Sequence, residues 1–252
     1  MNTSISLLEG VSIMMAIILI VVGLKKWQIL HKDDSLLFSK IVLNLTLPAV
    51  IFSSLAVKSF DIRFLQMSGI MALIEILMMF IAWSLASLLR FDNGKKGALI
   101  LVASFGMTSL LGYPIIRQVF PGNAMAMEEA VVTSEFGVGL LLFIFAPIIA
   151  MYYGESKVEA RSVFLSVRKF FVSPVFVALV LGLVVSFFPQ VKNVELLSTV
   201  LRLFKLIGGA NLLMVALTIG LILEFSQFGK VAAFLAVALS LKLLVKPFLS
   251  VW

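Results

Sequence analysis

Three ionisable side chains stand deep inside long apolar stretches of this chain: Glu75, Glu135 and Lys242. A lone charge at mid-bilayer costs at least about 2.5–3.5 kcal/mol on insertion scales, so each needs a partner, a wet cavity or a titrating role. Glu75 and Lys242 are expected to face each other or to line one cavity. The competing expectation gives each a separate polar neighbour, or lets Lys242 snorkel. Lys246, one turn further on, is expected to snorkel as well. Glu135 stands among Thr133, Ser134, Gly137 and Gly139. Small residues let helices approach closely, and a carboxyl among them either carries a proton for coupled transport or is a packed structural group.

A second set of residues lies in the apolar run from Ala98 to Phe120, which contains Thr108, Ser109, Gly112, Tyr113 and Pro114. Proline removes a backbone donor and its ring clashes with the preceding turn, so a helix breaks or kinks there. Opened backbone in hydrocarbon survives only where protein or a polar cavity covers it, and many carriers build their substrate sites at such mid-membrane breaks. The hydroxyls of Thr108 and Ser109 lie about one turn before the proline, within reach of loosened carbonyls or a ligand. A half-helix starting near Pro114 turns its positive end towards the break, which favours an anion. A plain kink, satisfied by neighbouring helices, is the alternative. Asn44 and Asn211 are amides in apolar runs. They either bond across helices, worth about 0.6–2 kcal/mol, or support a ligand.

These residues must be positioned by membrane spans. The chain has 252 residues, 62% hydrophobic and 13% charged, whereas soluble domains are about half apolar and a quarter charged. Runs of about 20 apolar residues mark spans, and eight are expected, near 4–24, 35–57, 63–90, 97–120, 124–152, 168–188, 196–224 and 230–252. The fold class is therefore an all-α polytopic membrane protein with its fourth helix broken at Gly112–Pro114. Lys25, Lys26, Lys32, Arg90, Lys95, Lys96, Lys157, Arg161, Arg168, Lys169 and Lys230 fall in one set of alternate loops. The other set holds Lys58, Arg63, Arg117 and Lys192, with Arg202 and Lys205 as looser additions. The richer set belongs on the cytoplasmic side, which puts the N-terminus outside in a multi-pass plasma-membrane protein. The first ten residues carry no Lys or Arg, a polarity opposite to that of a cleavable signal.

Composition also excludes function classes. Without cysteine there is no thiolate nucleophile or disulfide, and a single histidine, His31, rules out a multi-His metal site within the chain. The G-x-x-x-x-G-K phosphate loop is absent, which argues against direct drive by ATP. Glu128 and Glu129 are adjacent on a helix and so point to different sides. Neither catalysis nor a cofactor is expected. The net charge of +7 is scattered singly between apolar runs and forms no patch for nucleic acid. The expected partners are the lipid bilayer and a small anion.

Spans one to three and six to eight echo each other: Asn44 with Pro48 against Gly208-Gly209-Ala210-Asn211, and Glu75 against Lys242 at matching depth. An offset of five spans inverts the two copies in the membrane, as in carriers built from inverted repeats. The division is 1–152 as a first five-helix repeat, 153–167 as a cytoplasmic linker and 168–252 as a partial, inverted second repeat.

The run Asn44-Leu45-Thr46-Leu47-Pro48-Ala49-Val50-Ile51-Phe52 resembles the second-helix motif of the auxin efflux carrier family, which includes plant carriers and bacterial malate or malonate permeases. Ser104 to Pro114 resembles its fourth-helix crossover motif. Ser173-Pro174, the stretch from Gly209 to Gly220, and Leu241-Lys242-Leu243 followed by Pro247 are similar to later helices in order. The resemblance implies ten helices in two inverted sets of five, a crossing of unwound helices four and nine, a scaffold of helices one, two, six and seven, and an elevator-like transport domain. It implies secondary transport of organic anions such as dicarboxylates or auxin-like acids. Proton or sodium coupling, and pairing of two copies through the scaffold helices, are further expectations. Where the family often has Asn before the crossover threonine, this chain has Met107, a thioether in place of an amide. The sequence ends at Trp252, inside what resembles helix eight, so a truncated, non-transporting membrane protein is the rival reading. A bile-acid-type sodium symporter would need an acidic, polar sodium site, and no such cluster stands out.

Overall fold

A computed structural model of the chain describes residues 3–56, 62–106, 108–154, 160–188, 195–224 and 228–250, and every regular element among them is a helix. Seven are long and apolar enough to cross a membrane: Leu8–Lys26, Asp34–Leu55, Ile62–Leu88, Asn93–Val119, Ala124–Tyr153, Glu195–Ile222 and Val231–Ser250. Leu73, Phe80, Leu206 and Leu244 are among the large apolar side chains left exposed along them, as a lipid-facing surface requires. The protein is an all-α polytopic membrane protein.

The sixth span is shorter than the sequence suggested. The apolar helix there is Pro174–Phe187, 14 residues or about 21 Å at 1.5 Å per residue, against about 30 Å of hydrocarbon. The expected start at 168 belongs instead to a separate helix, Ala160–Phe171. Ser173 is extended (φ −67°, ψ 148°) and its hydroxyl accepts the Phe176 N–H, capping the new helix. A residue before proline is pushed out of helical conformation, and that resets the helix here. Of the expected linker 153–167, residues 155–159 lie outside the described residues.

Among the described residues four π-wound turns interrupt the spans: Val42–Thr46, Thr108–Gly112, Thr133–Gly139 and Leu241–Val245. Three of them end two residues before a proline, at Pro48, Pro114 and Pro247. Proline cannot bond to the carbonyl four residues back and crowds it. Local rewinding into a wider turn re-satisfies the freed groups inside a membrane. The fourth turn contains Gly137 and Gly139 instead. π turns occur often at functional sites. Each of these holds a residue singled out by type alone: Asn44; Thr108, Ser109 and Gly112; Glu135; Lys242.

The opening in the fourth span is not at Gly112–Pro114. Helix Asn93–Ser104 ends at Phe105, which is extended (φ −85°, ψ 134°), and Gly106 is also non-helical. Gly112 is helical (φ −66°, ψ −48°), and Pro114 sits in the first turn of helix Tyr113–Val119. An N–H is missed least there, because first-turn donors lack intrahelical partners anyway. Met107 lies outside the described residues.

The chain divides into two compact units that interleave along the sequence. One unit comprises Met1–Asp61, Thr108–Val131 and Val172–Glu224. Its helices touch through glycines: a Cβ on Gly182 would lie 2.9 Å from that of Leu55, and one on Gly208 would lie 3.3 Å from the Val50 backbone nitrogen. Lys25 Nζ donates to the Leu221 and Leu223 carbonyls at 2.9 and 2.7 Å, closing the carboxyl end of helix Asn211–Ile222. The other unit comprises Ile62–Met107, Val132–Phe171 and Phe225–Trp252. Its core joins Ile74, Met78, Ala82 and Ala86 to Leu99, Ile100, Ala103, Ala238 and Leu241. The alanines among them allow helix backbones to approach closely in lipid.

Candidate functional site

In the first unit, helix Tyr113–Val119 brings Tyr113, Pro114, Arg117 and Gln118 to one face by its three- and four-residue spacing. They line a cavity of about 220 Å³. Across it stand Gly208, Gly209, Asn211 and Leu212, with Val50 and Met127 completing the wall. The seventh span is interrupted here: one helix ends at Gly209 and the next begins at Asn211. The close approach at Gly208 leaves its carbonyl accessible to Arg117, whose Nη1 donates to it at 3.2 Å. Thr46 donates its hydroxyl to Asn211 Oδ1 at 2.8 Å, a buried bond. With that oxygen engaged, Asn211 has its NH₂ to offer an occupant. Among the described residues no carboxylate lines it. Chemically the cavity is an apolar slot with one guanidinium and one amide, suited to an anion with an apolar body.

The structure therefore brings together Tyr113, Pro114 and Asn211 from the expected set and adds Arg117 and Gln118. Thr108, Ser109 and Gly112 are half-buried in the preceding π turn and do not line the cavity. Asn44 is exposed, and its amide donates to the Lys40 carbonyl of its own helix at 2.8 Å. The polar link between the second and seventh spans runs through Thr46 two residues on. The rewound turn Val42–Thr46 explains the change, because five-residue winding shifts which side chains face inward.

In the second unit the expected pairing of Glu75 with Lys242 is replaced by another. Lys246 Nζ lies 2.5 Å from Glu75 Oε1, with the carboxylate fully buried and the lysine 13% exposed. The same ammonium donates to the Ser104 carbonyl at 2.7 Å. Lys242 donates to the carbonyls of Val102 and Phe105 at 3.1 and 2.8 Å. The last carbonyls of a helix lack intrahelical partners and carry partial negative charge. Where the fourth span opens at Phe105, two lysines four residues apart close it. Lys246, expected to snorkel, is instead taken up by the Glu75 carboxylate and the broken helix end.

Glu135 is buried in the π turn Thr133–Gly139, where the third and fifth spans meet. A Cβ on Gly137 would lie 3.0 Å from the Ser68 carbonyl and 3.0 Å from Met71 Cβ. Ser68 donates to the Val132 carbonyl at 3.1 Å. The close packing expected around this carboxyl is present.

Residues 7–252 match the model of a family described as membrane transport protein. The chain is also similar to an uncharacterized transporter of Methanocaldococcus jannaschii, 23% identical over 218 residues, which is 84% of this chain and 68% of that relative.

Proposed function

Because the chain belongs to the membrane transport protein family, that of the auxin efflux carriers, we propose that this membrane transporter is a secondary carrier of a small organic anion, a dicarboxylate or an auxin-like acid. The observation that carries this reading is the Arg117 cavity: a guanidinium beside Pro114 and Asn211, in a wall that has no carboxylate among the described residues. Alternating access is supported by the division of the chain into two units, with spans one, two, six and seven in the unit that holds the Arg117 cavity and spans three and eight in the other. Glu135, buried at a rewound turn, is the candidate proton carrier. The N-terminus lies outside in the plasma membrane, in keeping with the distribution of lysine and arginine between loops. The two sequence halves, 1–152 and 168–252, act as inverted repeats.

The test is uptake of labelled malate, malonate and indole-3-acetate into vesicles containing the protein. At least one acid should move. Arg117→Gln should raise its KM by about 10- to 100-fold, the loss of a charge-assisted hydrogen bond worth about 1.5–3 kcal/mol. No flux of any of these acids overturns the reading.

A further inference from the structure

A second cavity, of about 180 Å³, lies in the same unit and shares Arg117 and Met127 with the first. Ser53, Ser54, Asn123 and Lys205 supply the rest of its polar wall. Among the described residues, both charged side chains found in the two linings, Arg117 and Lys205, line this second space, and no carboxylate does. Several polar groups here are already engaged. The Ser53 and Ser54 hydroxyls donate to the Val50 carbonyl at 3.3 and 2.7 Å. Asn123 Oδ1 accepts the N–H groups of Met125 and Ala126 at 3.1 and 3.2 Å, so the adjoining helix end is capped from within the chain. Recognition of an occupant falls to the two cations.

Their settings differ. Lys205 is exposed and Arg117 half-buried. A compact, hydrated ammonium attracts an anion from water without fixing its orientation, whereas a guanidinium grips a carboxylate with two parallel bonds. Arg117 gives Nη1 to the Gly208 carbonyl and keeps the rest of its five donors. One side chain at the junction of two cavities can hold a carboxylate on either side without letting go between them.

We infer that the second cavity is an antechamber for a carboxylate-bearing small molecule, which Lys205 draws in and Arg117 passes to the first cavity. The onward path rests on the carrier reading; binding in the antechamber does not.

The absence of cysteine gives a direct test. Ser54→Cys places a single thiol in the antechamber wall of the full chain in phosphatidylcholine vesicles, and Ser53→Cys serves as a second probe position. Labelling is measured with anionic and cationic methanethiosulfonates of equal size, each normalised to its rate with free cysteine. The anionic reagent should react about tenfold faster, as clefts lined by one sign of charge enrich the opposite ion. Lys205→Gln should abolish the preference and Lys205→Arg should keep it. Added malonate should slow labelling. Equal rates, a preference indifferent to Lys205→Gln, or no reaction at either position would overturn the antechamber. Slowing by phosphatidylglycerol in the vesicles but not by malonate would replace it with a lipid-headgroup site. Absence of flux with intact reagent preference would defeat the carrier reading and leave the antechamber standing; flux without preference would do the reverse.

Discussion

Lys246 joins three spans through one ammonium: it pairs with Glu75 of the third at 2.5 Å and holds the Ser104 carbonyl of the fourth at 2.7 Å from its own place in the eighth. Removing one partner of a buried pair leaves an uncompensated charge, a loss of about 3–5 kcal/mol. Lys246→Met alone should therefore lower the melting temperature of the purified protein sharply. Lys246→Met combined with Glu75→Leu should recover much of the loss. If the double variant is as unstable as the two single losses added together, the pair is not coupled.

The Thr46–Asn211 bond is buried, whereas among the described residues Asn44 bonds to its own helix. Thr46→Val keeps the shape but leaves Asn211 Oδ1 without its donor, at about 1–3 kcal/mol. Asn44→Ala should change stability by no more than about 0.5 kcal/mol. Unfolding of the two variants in denaturant would separate them; equal effects would contradict the geometry.

Gly208 has Val50 Cγ2 3.0 Å from where its Cβ would stand, with the Val50 backbone nitrogen at 3.3 Å. Gly208→Ala should push the second and seventh spans apart and destabilise the protein by about 1–3 kcal/mol, the range for overpacking. Because its carbonyl anchors Arg117, the variant should also raise the KM for the transported acid. Stability measurements paired with flux would show both changes or refute the link.

Asp92 caps helix Asn93–Ser104, and its carboxyl is held below its ordinary value of 3.8, chiefly by the Lys95 backbone N–H that it accepts. A depressed folded-state pKa contributes stability above the ordinary value, lost as pH falls through the folded one. The Lys95 amide should therefore lose protection, measured against an unstructured peptide at the same pH, as the medium is acidified below about pH 4. Asp92→Asn keeps a cap that does not titrate and should abolish that response.

The spans were legible in the sequence because apolar length is a strong signal, and Pro114 marked the span that does not run as one regular helix. The location of the opening was not, because a proline acts on the turn before it: the signal at Pro114 produced winding at Thr108–Gly112, and the extended residues lie at Phe105–Gly106. Side-chain partners were harder still. Sequence spacing puts Glu75 and Lys242 at matching depths, yet a lysine one turn on reaches the carboxylate, and spacing alone does not separate two cations on one helix face. Arg117 read as a loop charge because it lies near the end of its span. Its four-residue interval from Tyr113 was the available clue that both face one cavity.

The three groups at the opened end of the fourth span are two lysines against one carboxylate, an imbalance of one formal positive charge when all three are ionised. If the unit that holds them travels along the membrane normal, this charge is carried through the transmembrane field, at about 2.3 kcal/mol per 100 mV for a full crossing. Turnover would then depend on voltage even for a substrate whose own charge is cancelled by a co-transported proton.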